Sequence, residues 1–312
     1  LDEATCIPEP FWKMLETRMS VPGAQLFATC NPEGPTHWLK KDYIDRPEVH
    51  DIKVWSFNLD DNPVLDETYK KAIKASFTGM FFKRYVLGEW AMATGAIFDD
   101  FDDTNVYTKD YPAPLYYCAG VDYGTVNATC CVIAACNPKI WPQIRIEREY
   151  YFDSAKHGRQ KKDSELALDI KNFVGHTPLT ALYVDPAAAS LKLELRSHDL
   201  PVIDANNDVL FGIKLMSNFV HNKNLIINKG CTNLIEQMQS YAWCPKAQAR
   251  GEDAPIKHND HAVDAARYCL STAFKNGLDS PDLNKTYDEI RRDIYGDQGW
   301  GFIGGETMGG YN

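Results

Sequence analysis

Three aspartates in three different settings carry the chemistry available to this chain. Asp122 follows the strand-like run 116–121, Asp185 ends the run 181–184, and Asp264 lies inside a helical stretch from Asn259 to Phe274. If two strand ends and one helix converge, their carboxylates form an oxygen-rich pocket. Such a pocket suits two hard divalent cations, Mg2+ or Mn2+, about 3.5–4 Å apart, which is the apparatus for hydrolysing a phosphodiester by in-line attack of water. No side-chain nucleophile is then required. Gly124, two residues beyond Asp122, leaves room for a phosphate backbone. Like charges so close together would leave the metal-free site loose or partly protonated.

The third setting is the richest. In His258-Asn-Asp-His-Ala-Val-Asp-Ala-Ala-Arg-Tyr268, Asp260 and Asp264 are four residues apart and His261 and Asp264 three apart, so on a helix they share one face. Asp260 is a further candidate metal ligand, and His261 a metal neighbour or proton shuttle. Blander accounts compete with these. A strand-end Asp is often only a turn former, an acid in a first helical turn is favoured by the helix dipole, and His261 is equally suited to capping.

These groups need elements to position them. Ala262, Ala265, Ala266, Cys269 and Leu270 give the last helix a face of mostly small residues, able to pack tightly on a sheet. Runs 115–121, 128–135 and 143–152 are β-rich and spaced as a three-strand antiparallel meander. Helix 163–174, strand 181–184, helix 188–197, strand 201–204 and helices 209–219, 232–243 and 258–274 follow. That order predicts an α/β chain with the mixed, helix-flanked sheet of the ribonuclease H-like nuclease fold. Before it, a helix at 10–19, a strand at 24–29, a polar loop at 31–35 and a helix at 67–78 read as part of another α/β layer. We expect segments at 1–95 and 96–275, then a flexible acidic tail at 276–312 with seven glycines between Gly296 and Gly310.

Composition narrows the classes further. No stretch approaches the ~20 apolar residues that cross a bilayer, which argues against a membrane role. The nine cysteines form no C-x-x-C pair, a pattern of buried reduced thiols in a cytosolic protein rather than of disulfides or zinc. A net charge of −10 argues against a polyanionic partner, yet residues 96–275 are nearly balanced, with 19 basic and 22 acidic groups. Local field decides phosphate binding. Candidate DNA contacts are Arg159, Lys161 and Lys162 in one loop, and Lys246, Arg250 and Lys257 before the last helix. A solvated charged loop is the competing reading for each.

An ordered set of short motifs resembles the large terminase subunit of tailed double-stranded DNA bacteriophages. It comprises Leu1-Asp-Glu-Ala4, Ala28-Thr-Cys-Asn-Pro-Glu-Gly-Pro35, Tyr85-Val-Leu-Gly-Glu-Trp90, Gly95-Ala-Ile-Phe98, Gly120-Val-Asp-Tyr-Gly124, Tyr183-Val-Asp-Pro-Ala187 and the motif from His258 to Tyr268. The resemblance implies a packaging motor with a P-loop ATPase followed by a ribonuclease H-like endonuclease that cuts concatemeric DNA. Asp2 would be the Walker B acid and Glu3 the base for ATP hydrolysis, and Thr29 and Asn31 would lie in the segment sensing the γ-phosphate. Asp122, Asp185 and Asp264 match the family's metal-binding acids, with His261 beside the third. Implied partners are double-stranded DNA, the small terminase subunit and the procapsid portal protein, in the cytoplasm of an infected bacterial host.

The chain has no G-x-x-x-x-G-K-[ST] motif and starts without methionine. Residues 1–95 are therefore expected to be a truncated P-loop ATPase segment in a fragment or processed piece, with ATP used only by the intact motor. Two alternatives stand beside the nuclease. A resolvase or transposase of the same fold would use the same acids, against which the Asp2-Glu3-Ala4 start and the Asn31 loop argue. A non-catalytic docking fragment, binding portal, small terminase or capsid, is favoured by the acidic tail.

Overall fold

Three short α-helices come first along the chain: α1 (Glu9–Arg18), α2 (Glu67–Ala75) and α3 (Gly79–Tyr85). Strands β1 (Val106–Tyr107), β2 (Tyr116–Asp122), β3 (Thr129–Cys136) and β4 (Ile144–Phe152) follow, then helices α4 (Ser154–His157) and α5 (Asp163–Val174). Strand β5 (Leu179–Val184), helix α6 (Ala189–Ser197), strand β6 (Val202–Asp204), helix α7 (Val209–His221) and strand β7 (Leu225–Asn228) alternate. The last helices are α8 (Thr232–Ser240), α9 (Pro245–Gln248) and α10 (His261–Ala273). This computed structural model describes residues 1–124, 127–137 and 140–275; the tail expected over 276–312 lies outside the described residues.

One seven-stranded mixed sheet runs in the order β1-β7-β4-β3-β2-β5-β6. Strands β2, β3 and β4 are the expected antiparallel meander, while β5 and β6 add in parallel beside β2, and β7 and β1 in parallel beside β4. Helices cover both faces, which is why β3 is apolar and buried along its whole length. On one face Cys118, Cys130, Val132 and Ile146 pack with α7, α8 and α10. On the other, Ala119, Val121, Ile133 and Leu182 pack with α5 and α6. Strand β2 thus sends alternate residues to the two layers. All nine cysteines are free thiols and six of them are buried.

Where α10 crosses β2 the backbones nearly touch. A Cβ at Gly120 would stand 2.1 Å from the Ala265 carbonyl oxygen, so only glycine fits there. The small-residue face of α10 is the matching half of this contact.

The N-terminal residues have their own small core of Ala4, Trp12, Leu39 and Tyr43. Phe81 and Ala93, by contrast, pack into the core of the main sheet. Here the expected strand 24–29 does not form. Leu1 N donates to Phe27 O, Thr29 N to Leu1 O and Ala4 N to Thr29 O, a short parallel pattern that slips at Glu3, whose φ is +52°. Among the described residues no further strand extends this ladder.

Other boundaries move for local reasons. The helix expected over 67–78 stops at Ala75, and a new one starts at Gly79, where φ is +53°. Helix α8 ends at Ser240, before Ala242 and Trp243, which form isolated bridges to Ala96 and Pro255. Helix α10 begins at His261, because Asn259 takes a left-handed φ of +52° and turns the chain just before it. Strands β1 and β7 were not expected from the sequence.

Candidate active site

Strands β2 and β5 are parallel neighbours with Val121 opposite Val184. Asp122 and Asp185 therefore lie side by side at the same end of adjacent strands, which are about 4.8 Å apart in a sheet. Helix α10 is held onto β2 through Gly120, and its first turn brings His261 and Asp264 to that end. Asp122, Asp260 and Asp264 are all buried.

Each carboxylate has a defined partner. His261 Nδ1 donates to Asp122 Oδ2 at 2.8 Å. Asp185 accepts from Ala187 N at 2.9 Å and from the Tyr268 hydroxyl at 3.2 Å. Asp264 accepts from Arg267 Nε at 3.0 Å on Oδ1 and from Lys257 Nζ at 2.9 Å on Oδ2. Asp260 Oδ2 lies 3.3 Å from Lys257 Nζ but accepts no hydrogen bond.

The electrostatics follow from this crowding. Burial pushes the Asp122 carboxyl above its ordinary range; the His261 hydrogen bond opposes the shift, and the charges of Asp264 and Asp260 add to it. The hydrogen bond to Asp122 holds the His261 imidazole above its usual value against the effect of burial. For Lys257, burial works against the charge, but Asp264 and then Asp260 outweigh it and raise the amine.

Besides Tyr268, which holds Asp185, two positioning residues were not read from the sequence. Gln237 of α8, buried, accepts from Ala262 N at 2.7 Å and Val263 N at 3.3 Å, so it caps α10 from a different helix. Asp260, at the N-cap position, makes no capping bond and its carboxylate is left for the site. Arg267, 1% exposed, is the second, and its placement three residues after Asp264 is the one signal the sequence offered.

The donor set suits a hard cation, being all carboxylate oxygen, with one buried oxygen of Asp260 lacking a hydrogen bond. In this arrangement, no three His, Cys, Asp or Glu side chains among the described residues are gathered closely enough to hold one ion. The oxygens face Lys257, Arg267, His261 and Tyr268.

The other predicted residues fall in two further places. Thr29 Oγ1 donates to Asp2, and Asn31 Nδ2 donates to Glu3 Oε1 at 3.2 Å, so the four nucleotide-site candidates form two adjacent pairs on the surface. Of the DNA-contact candidates, Arg159 pairs with Glu165 at 3.0 Å, Lys161 with Asp169 while lying over the Phe152 ring, and Arg250 with Glu252 at 2.7 Å. Lys162 and Lys246 are exposed and carry no ion pair among the described residues. Lys257 faces the carboxylates.

A buried charge cluster joins the N-terminal segment to the loop before α10. Arg84, 3% exposed, pairs with Glu33 at 2.9 Å and also with Asp253. Burial, followed by the nearby Asp253 charge, pushes the Glu33 carboxyl up to about 7 in spite of Arg84.

No protein-family model matches the chain. Among curated proteins, the large terminase subunit of Escherichia phage T5 is 20% identical over 222 residues, covering 67% of this chain and 49% of that protein. The chain therefore spans about half the length of that relative. Among solved structures, the large terminase of a thermophilic bacteriophage is 35% identical with a TM-score of 0.82, covering 88% of this chain and 68% of that one. The same thermophilic phage protein in complex with ATP-γ-S gives 35% identity and a TM-score of 0.82 over 87% of this chain and 68% of that one. Among the described residues, no helix is long and apolar enough to cross a membrane.

Proposed function

This chain belongs to the bacteriophage large terminase family, and from that premise we propose that it is the nuclease part of a DNA-packaging enzyme: a metal-dependent endonuclease acting on double-stranded DNA. The observation that carries this reading is the placement of Asp122 and Asp185 on adjacent parallel strand ends, with the first turn of α10 brought alongside. Family membership sets aside the resolvase or transposase alternative.

Asp122, Asp185, Asp264 and Asp260 would hold two ions of Mg2+ or Mn2+. Bound there, the ions would polarise the scissile phosphate and activate the attacking water. Asp122 orients the His261 ring through Nδ1, leaving Nε2 to hold or pass a proton at the edge of the site. Arg267 fixes one oxygen of Asp264, and Tyr268 fixes one oxygen of Asp185. Exposed Lys162 and Lys246 are suited to sequence-independent phosphate contacts.

Residues 1–95 are read as the closing part of a P-loop ATPase domain, in which Asp2, Glu3, Thr29 and Asn31 serve the nucleotide, and residues 96–275 as the nuclease domain. Without a phosphate-binding loop in this chain, ATP hydrolysis belongs to the intact motor. Partners of that motor would be concatemeric DNA, the small terminase subunit and the portal protein, in the host cytoplasm.

Supercoiled plasmid nicking tests the reading. Cleavage with Mn2+ or Mg2+ that EDTA abolishes, and that Asp122→Ala, Asp185→Ala and Asp264→Ala each lose, is the expected result. A well-folded wild type that leaves the plasmid intact would count against it and favour a docking role.

A further inference from the structure

Asp264 is held by two cations of different kinds. Arg267 grips Oδ1 from a side chain only 1% exposed, whereas Lys257 reaches Oδ2 from a side chain that is 56% exposed. The Lys257 amine also stands 3.3 Å from Asp260 Oδ2, an atom that is buried and accepts no hydrogen bond. Gln237 takes over the capping of α10, so that oxygen is not consumed by the helix terminus. One amine thus covers two buried carboxylates from the solvent side, where a divalent ion would enter.

The backbone behind Lys257 is pinned. Cys244 N donates to Ala254 O at 2.9 Å and Ile256 N to Ala242 O at 2.9 Å. The amine can swing out on its four-carbon stem while the loop stays in place. A lysine suits this task, because its ammonium is a compact, strongly hydrated point charge on a flexible arm, without the rigid two-pronged grip of arginine.

We propose that Lys257 is a built-in counter-cation of the carboxylate site, exchanged for the divalent ion on binding, and therefore the residue that sets the metal affinity. The proposal rests on the metal-dependent reading above. In the metal-free protein the amine relieves repulsion between Asp260 and Asp264. A metal ion must compete with it for the same oxygens.

The test is Mn2+ binding to the metal-free full chain, followed by calorimetry and by electron paramagnetic resonance of free Mn2+, with wild type beside Lys257→Met, Lys257→Arg and Asp264→Asn. Lys257→Met should bind Mn2+ about tenfold more tightly, a gain of about 1.4 kcal/mol. Lys257→Arg, which keeps the charge but grips the carboxylates more rigidly, should bind no more tightly than wild type, and Asp264→Asn should lose the site. The metal-free Lys257→Met protein should also melt below wild type and recover once Mn2+ is added. If wild type binds and Asp264→Asn does not, but Lys257→Met binds equally or more weakly, the counter-cation role is overturned and the metal site stands. Binding that ignores Asp264→Asn, or is absent from wild type and Lys257→Met alike, removes both readings.

Discussion

Gly120 of β2 and Ala265 of α10 approach so closely that a single methyl group on the glycine would stand 2.1 Å from the alanine carbonyl oxygen, with Cys269 N and Cβ each at 2.8 Å. This contact fixes the distance between Asp122, two residues along the strand, and Asp264, one residue back on the helix. Its obstructing atoms are mostly backbone, which cannot step aside as a flexible side chain would.

Gly120→Ala should therefore lift α10 from the sheet. Overpacking of this kind costs about 3 kcal/mol, a fall on the order of 10 °C in melting temperature for a domain of this size. Plasmid nicking should drop with it, because the helix carries His261, Asp264 and Asp260. A thermal melt of the variant that coincides with wild type would show that the helix does not sit this close.

Gln237 supports the same helix by another route. Gln237→Leu keeps the bulk but removes the oxygen that accepts from Ala262 N and Val263 N. Leaving buried donors unpaired costs about 1–3 kcal/mol. Amide hydrogen exchange at Ala262 and Val263 should accelerate markedly in the variant. Exchange unchanged at those two amides would mean that another acceptor replaces the glutamine.

What the sequence made legible, and what it did not, divides along physical lines. Asp122 and Asp185 could be placed because each closes a β-rich run, and α10 could be read as a sheet-packing helix from its small residues. The meander and α5 appeared where patterning put them, with Leu166, Ala167, Ile170 and Val174 forming the buried stripe of α5. Strand β7 was hidden because its four residues, Leu225–Asn228, come only three residues after the apolar helix α7, and periodicity cannot identify a run so short. Gln237 acts across 25 residues of chain, and no local pattern announces a cap supplied by another helix. Lys257 was read as a candidate phosphate contact from its charge alone, while the loop that turns it onto Asp264 was not visible. The strand expected at 24–29 was read from its own residues, but a strand exists only with neighbours.

Glu33 gives the cluster around Arg84 a pH dependence of definite sign. Its carboxyl is raised from the ordinary 4.5 to about 7, by burial first and by Asp253 next. The folded protein thus holds this proton more tightly than the unfolded chain does. The associated stability is fully present below about pH 4.5 and is lost as pH rises through about 7. Glu33→Gln imitates the protonated side chain at every pH. The variant should match wild type near pH 4.5 and exceed it at pH 8, by on the order of 2 kcal/mol. Denaturant melts of both proteins across that range measure the difference directly, and titrating groups remote from the Arg84 cluster cancel in the comparison. A constant gap between the two curves, or one that widens toward acid, would mean that Arg84 dominates and keeps Glu33 ionised.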